Sequence, residues 1–264
     1  MIPFFEFSSI SLGPLTIQVW GLLVSLGALL ALLIAVKFGK KFTIPKEIIL
    51  DLFVWGLIGG LIGARIFFII FYQPLLFIQE PIEIIKIWNG GASSLGAIVG
   101  AILSFAIYFK VKKISWKDAV KYLDILAFAF WPGWAIGRIG CFLIHDHIGR
   151  LSNFFLAVNF PFGSRHDLGL YESLLALVVF IISLFLYKKW VRFPGRLVIY
   201  TFLIYAPIRF LLDFLRADDL LVTDARYAAL TPMQWGIIAY LAGLTFWYIY
   251  AKITQRKNIS GRVA

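Results

Sequence analysis

"DILAFAFWPGWAIGRIGCFLIHDHIGR", Asp124 to Arg150, decides what kind of chain this is. From Asp124 to Ile144 only Asp124 and Arg138 carry charge, and the other side chains are apolar or small. A bilayer core about 30 Å thick needs roughly 20 such residues in a helix. Then the composition turns over: His145, Asp146, His147 and Arg150 follow at once, and Arg138 stands one helical turn before the only cysteine, Cys141. The stretch reads as a membrane helix whose end is lined with charge, and the question is what that charge meets.

The surrounding sequence supports the membrane reading. Of 264 residues, 61% are hydrophobic and 15% charged, and mean hydropathy is +0.88. That is too apolar for a soluble globule and fits a polytopic membrane protein. Spans are expected at 15–38, 48–73, 91–110, 119–145, 169–190, 196–216 and 232–252. They must be helices, because runs this long exceed barrel strands and lipid tolerates nothing else. The net charge of +11 belongs to membrane loops, so no nucleic-acid partner is expected. Lysine and arginine crowd alternate loops: Lys37, Lys40, Lys41 and Lys46; Lys110, Lys112, Lys113 and Lys117; Lys188, Lys189, Arg192 and Arg196; and Lys252, Arg256, Lys257 and Arg262. The positive-inside rule then puts the N-terminus outside and the C-terminus in the cytoplasm.

The expected fold is therefore an all-α polytopic integral membrane protein, a single transmembrane domain over residues 1–264 with about seven transmembrane helices. No basic n-region precedes the first span, so no cleaved leader is expected. Residues 76–89 mix Leu76, Phe77, Ile84 and Ile87 with Glu80, Glu83 and Lys86, which suggests an amphipathic arm in the outer interface. Residues 146–168 read as a small irregular outer cap. One cysteine excludes an internal disulfide and a multi-cysteine metal site, and no metal or cofactor is expected.

Three arginines interrupt apolar runs: Arg65 in "GGLIGARIFFI", Arg138 in "WAIGRIGCFL" and Arg209 in "YAPIRFLLDFLR". Each costs at least about 2.5–3.5 kcal/mol to insert, which makes it a functional-site hypothesis by default. Their spans all run from cytoplasm to outside and each arginine comes late, so all three belong to the outer third of the membrane. Tyr205, Arg209, Asp213 and Arg216 recur at helical spacing, within a wedge of about 80° on one helix face. For Asp213 and Arg216 a simple helix-gluing pair is the competing reading. Two deep arginines on separate helices call for a shared anion, and the arginine fork suits phosphate. At that depth the anion is a phospholipid headgroup. The glycines of "GLIGGLIGARI" and "GGASSLGAIVG" either let helices approach closely or leave room for a ligand.

These motifs, in this order, resemble the prolipoprotein diacylglyceryl transferase family. "GLIGGLIGARIFFIIFY" is similar to the family's second-helix segment, and "WNGGASSLGAIVG" to its Gly-Gly-Leu-Ser-x-His-Gly-Gly segment. "GRIGCFLIHDHIG" resembles its signature Gly-Arg-x-Gly-Asn-Phe-x-Asn-x-Glu-x-x-Gly. "HDLGLYESL", "YAPIRFLLDFLR" and "LTPMQW" follow its later motifs. Arg138, Gly149, Tyr171, Glu172, Tyr205, Arg209, Arg216 and Gln234 fit. The family histidine is Leu95 here, its signature asparagines are Cys141 and Ile144, and its two glutamates are Asp146 and Asp213.

The resemblance implies transfer of diacylglycerol from phosphatidylglycerol to the lipobox cysteine thiol of a prolipoprotein, giving a thioether and glycerol phosphate. It implies the lipid bilayer and the precursor's signal-peptide region as partners. The protein would sit in the bacterial cytoplasmic (inner) membrane, with its site toward the outer leaflet. Arg138, Arg209, Tyr205, Asp146 and Asp213 are the expected catalytic residues. Arg138, Arg65, Gly149, Tyr171, Glu172, Arg216, Gln234 and His166 are expected to bind substrate. His145, His147 and His166 are the histidines available as a base. Cys141 is read as a packed residue, since the attacking sulfur belongs to the substrate. Two rivals stay open. A lipid transporter would show repeats and a midplane site, and the departures at Leu95 and Cys141 leave room for a phosphatidylglycerol-binding homologue without turnover.

Overall fold

The computed structural model describes residues 1–86, 90–190, 192–220 and 225–260. Three short strands open the chain: β1 (Ile2–Pro3), β2 (Ser9–Leu12) and β3 (Leu15–Gln18). Helices α1 (Val19–Lys41) and α2 (Lys46–Tyr72) follow, then the short α3 (Pro74–Gln79) and a 3-10 turn at Pro81–Ile84. After α4 (Ser94–Val111) and α5 (Trp116–Ile144) come strands β4 (Ile148–Leu151), β5 (Val158–Phe160) and β6 (Gly163–Asp167). The chain ends with α6 (Leu168–Trp190), α7 (Arg196–Leu212), a 3-10 turn at Asp213–Leu215 and α8 (Pro232–Ser260).

Every expected span has its long helix. Among the described residues six are long and apolar enough to cross a membrane: α1, α2, α4, α5, α6 and α7. Large side chains such as Leu26, Leu29, Leu33, Leu57, Ile58, Leu61 and Ile62 face outward along α1 and α2, as lipid contact requires. α5 is the central helix, 56% buried over its apolar window against 17% for α1 and α2.

Glycines decide how the helices meet. A Cβ on Gly63 would strike the Gly96 carbonyl oxygen, and one on Gly100 the Gly59 carbonyl. α2 and α4 therefore touch backbone to backbone, the small-residue packing of membrane helices. Gly27 of α1 and Gly133 of α5 oppose each other in the same way. Of the two sequence readings for these glycines, close approach is the one seen. Prolines interrupt α5 at Pro132 and α7 at Pro207, as buried membrane helices tolerate.

The sheets correct the all-α expectation. The region 146–168 is regular: β4, β5 and β6 join β1 in a four-stranded sheet of order β1-β5-β6-β4. Only Pro161 and Phe162 separate β5 from β6, and Gly163 takes φ 117°, so "FPFG" is a tight hairpin that reads as a loop when scanned for helices. Residues 15–18 belong to the hairpin β2–β3, not to the first span. Span six is trimmed at its end, and span four closes where expected. α7 stops at Leu212, because Arg216 turns extended (ψ 141°) and bridges Gly149 of β4. α5 stops at His145, whose φ of 51° is the left-handed conformation that ends helices. The arm is helical over 74–79 and 81–84; residues 87–89 and the side chains of Leu76 and Phe77 lie outside the described residues.

At the lysine-rich end, Asp124 caps a helix from a distance. Its two carboxylate oxygens accept from the N–H groups of Gly195 (2.7 Å) and Val198 (2.9 Å) at the start of α7. The charge thus lies at the positive end of that helix dipole.

Candidate active site

The opposite end, where α5, α6 and α7 meet under the sheet, holds the expected charges. Glu172 of α6 is its centre and is fully buried. Its Oε2 lies 3.0 Å from Arg138 Nη2 of α5 and 3.2 Å from Arg209 Nε of α7. Tyr205 donates to the same oxygen (3.4 Å) and accepts from Trp134 Nε1 (3.3 Å). Asp213 Oδ1 lies 2.6 Å from Arg209 Nη1 and also accepts from Arg216 Nε. Arg216 Nη2 approaches Glu172 Oε1 at 3.9 Å. Three guanidiniums thus surround two carboxylates in an apolar shell, one positive charge in excess.

Helical spacing brings these groups together. Tyr205 and Arg209 share a face of α7, and the 3-10 turn carries Asp213 and Arg216 onward past the helix end. Arg138 sits over the Trp134 ring, 4.7 Å from its centre, one turn earlier on α5. Arg209 is 1% exposed, yet its Nε and Nη1 lie near carboxylates without hydrogen-bond alignment.

A second layer steadies Asp213. Thr231 Oγ1 donates to Asp213 Oδ2 at 2.6 Å. Thr231 also exchanges bonds with Gln234: Gln234 N to Thr231 Oγ1 (3.2 Å) and Thr231 N to Gln234 Oε1 (2.9 Å). This is a capping box at the start of α8. Its signal, "TPMQ", is plain in the sequence but unread there, and Thr231 was missed with it. Gln234, expected to bind substrate, spends its amide on this cap and on the Phe210 carbonyl (3.0 Å).

The remaining candidates fall into two places. Gly149 bridges Arg216 main chain to main chain, and a Cβ there would come within 2.6 Å of the Leu215 carbonyl oxygen. His166 Nδ1 and the Tyr171 hydroxyl pair at 2.8 Å under the sheet; burial lowers the pKa of that imidazole. Arg65 is not brought into the cluster. It hydrogen-bonds the arm's main chain instead, at the carbonyls of Ile84 (3.1 Å), Gly90 (2.5 Å), Gly91 (3.0 Å) and Glu83. Leu95 packs into an apolar cluster with Ala206, Met233 and Ile237.

The two histidines after α5 differ sharply. His145 Nδ1 faces Asp167 Oδ2 (2.7 Å) and Nε2 faces the Phe5 carbonyl (2.5 Å). Both partners favour a protonated ring, and together they clamp the N-terminal segment. Burial opposes that charge, but Asp167 and the carbonyl outweigh it and raise the pKa. His147 instead has its pKa held well below the usual value, by burial and then by Arg216, Arg138 and Arg209. Its Nδ1 lies 3.4 Å from Arg216 Nη1 and its Nε2 3.8 Å from Asp146 Oδ1. The Asp146 side chain is 35% exposed at the mouth. Partial burial there pushes its carboxyl up to about 6, against the pull of Arg138.

Comparison with known proteins identifies the family. The family model described as prolipoprotein diacylglyceryl transferase matches residues 8–251. A relative from Trichormus variabilis is 31% identical over 91% of this chain and 89% of its own length. One from Finegoldia magna is 30% identical over 92% and 94%, and one from Listeria welshimeri 32% over 88% and 88%. Each is named phosphatidylglycerol–prolipoprotein diacylglyceryl transferase. A match that runs through the hairpin, every membrane helix and all the cluster's residues leaves one assignment: this chain belongs to the prolipoprotein diacylglyceryl transferase family.

Proposed function

We propose that this chain transfers the diacylglyceryl group of phosphatidylglycerol to the lipobox cysteine of a prolipoprotein, at the outer leaflet of the bacterial cytoplasmic membrane. The observation that carries the reading is the buried excess of guanidinium over carboxylate where α5, α6 and α7 meet. In the reaction the substrate thiolate attacks the glyceryl carbon that bears the phosphate. A C–S bond forms, the C–O bond breaks, and the electron pair leaves on glycerol phosphate.

Arg138 and Arg209 hold the phosphate oxygens and stabilise the charge that grows as the ester bond breaks. Stabilisation of that kind usually contributes more to catalysis than any other single effect. Glu172 and Asp213 keep the guanidiniums fixed beforehand, so little reorganisation is needed. Tyr205 orients Glu172. Arg216 and Gly149 join the site to the sheet, where the precursor enters past Asp146, His166 and Tyr171. Arg65 secures the arm.

Purified protein incubated with phosphatidylglycerol and a lipobox peptide tests this by mass: the peptide gains one diacylglyceryl group. A peptide of unchanged mass rejects turnover and leaves a lipid binder. Orientation has its own test. Cysteines introduced at 146–168 should react with an impermeant thiol reagent from outside, and those at 111–118 should not; the reverse pattern overturns the leaflet assignment.

A further inference from the structure

Cys141, Asp146 and His147 bring a thiol sulfur, a carboxylate oxygen and an imidazole nitrogen within 4.8 Å of one another. The left-handed His145 reverses the chain after α5 and swings Asp146 and His147 back over Cys141. We propose that this trio is a zinc-type divalent-cation site with one open position, and that the ion there binds the substrate thiol as thiolate. The substrate in this proposal rests on the transferase reading; the ion does not.

The donor set is what such an ion selects. A borderline-soft cation takes sulfur and imidazole nitrogen, and a carboxylate completes three protein ligands. Three ligands with the fourth position open is the arrangement of a site that binds an exchangeable partner. At metal–ligand distances of about 2.0–2.3 Å the donors need to close by roughly an ångström. Asp146 and His147 have room for that, with side chains 35% and 25% exposed. Cys141 is buried beneath them, so the open position faces the mouth through which a precursor comes.

The neighbouring arginines do not exclude a cation. Glu172 and Asp213 already hold Arg138, Arg209 and Arg216. A Cys141 thiolate and the Asp146 carboxylate cancel the ion's two charges, so the arginine excess stays available to the phosphate. Arg138 Nη1, 3.8 Å from Cys141 Sγ, is placed to support the thiolate. His147 ligates through Nε2, the nitrogen that faces Asp146, and its proton moves to Nδ1. The 3.4 Å contact with Arg216 Nη1 is then given up, while Asp213 still holds that guanidinium. The ion and the phosphate site are therefore adjacent, as thiol attack on the phosphate-bearing carbon demands.

The step balances. The lipobox thiol fills the open position and loses its proton to water, since a coordinated thiol is deprotonated outright. The metal-bound sulfur attacks the glyceryl carbon, the C–O electron pair leaves on glycerol phosphate, and the neutral thioether dissociates as a poor ligand. The ion thereby supplies thiol activation in a chain whose family histidine position is Leu95. A free thiol is only a few per cent ionised near neutrality, so losing the ion slows transfer roughly 30-fold on thiolate population alone.

The full-length protein, chelated and then loaded with Co2+, tests the ion first. We expect one ion per chain with a thiolate-to-cobalt charge-transfer band, absent in Cys141→Ser. In Asp146→Asn the affinity should fall by at least about tenfold, as losing even an outer partner of a metal site does. No binding, or an unchanged band in Cys141→Ser with Asp146→Asn binding as well as wild type, overturns the site. Adding a lipobox peptide should strengthen the band, and a serine-substituted peptide should not; equal responses overturn thiol coordination. The mass assay then separates the two readings. Full transfer in the chelated protein overturns thiol activation while the transferase reading stands. No transfer with Zn2+ bound, beside a band that still grows with peptide, keeps the metal site and rejects the transferase.

Discussion

Arg65 and Arg209 are alike in the sequence and unlike in the fold. Each is a guanidinium deep in an apolar run, and each ends up buried, 8% and 1% exposed. Arg65 meets main-chain carbonyls of the arm. Arg209 meets two carboxylates at ion-pair distance, with Nε and Nη1 not aligned to either. Carbonyls of the arm take the Arg65 donors from Nε, Nη1 and Nη2 and turn its fork toward the main chain. Carboxylates hold a cation in place, and three arginines around two of them keep a charge to offer. The difference teaches that a buried arginine marks a site only when its partners leave capacity over.

The largest test of that contrast is at the cluster itself. Arg138→Ala should abolish mass transfer to a lipobox peptide. Arg209→Lys should lower it by about 10²–10³-fold, the usual cost of one transition-state donor, because lysine keeps charge but cannot make a two-pronged phosphate contact. Near-normal turnover in Arg209→Lys would rule out bidentate recognition there.

Asp213→Asn comes next. It removes the charge that aligns Arg209 and Arg216, and a misplacement of about 1 Å in such a site costs up to about 10²-fold. We expect a drop in transfer of roughly 10–100-fold with helix content unchanged. If the rate holds, Glu172 alone fixes the guanidiniums.

Arg65→Gln should separate the two arginines. Buried carbonyls lose their donors, which costs about 1–3 kcal/mol each when nothing replaces them. Thermal unfolding should come earlier, while transfer stays within about tenfold, far from the Arg209→Lys loss. Transfer falling as far as in Arg209→Lys would place Arg65 at the phosphate and collapse the comparison.

The smallest effect should come from Leu95→His. General base catalysis contributes about 10²–10⁴-fold where it is needed, but thiol activation here is assigned elsewhere. The rate should change only a few-fold, less than a needed base contributes. An inert wild type rescued by Leu95→His would show that the missing histidine was indispensable.

The helices were legible because their signal is local. A run of apolar residues and a bias of lysines are properties of neighbours in sequence, and lipid admits one backbone solution for them. The cluster was half legible: helical spacing gave Tyr205 and Arg209 one face. Asp213 and Arg216, grouped with them by the same spacing, also join the cluster, though a 3-10 turn and the β4 bridge carry them there and not the helix repeat. The cap sheet was missed because its strands run three to five residues and its first partner, β1, lies at the other end of the chain. Thr231 carried a readable capping pattern, yet its contact with Asp213 joins residues 18 apart through a fold no spacing rule reaches.

By itself the sequence determined the class of the chain, the helices and their order, the charged residues that had to be explained, and the motifs of its family. Each of these follows from short-range chemistry and from solvent. Tertiary structure alone decided which arginine faces carbonyls and which faces carboxylates. It alone set Glu172 between three helices and folded Asp146 and His147 back over Cys141. Those outcomes depend on where α5, α6 and α7 touch, and Gly169 of α6 lets its backbone lie against Cys141 and Phe142 of α5.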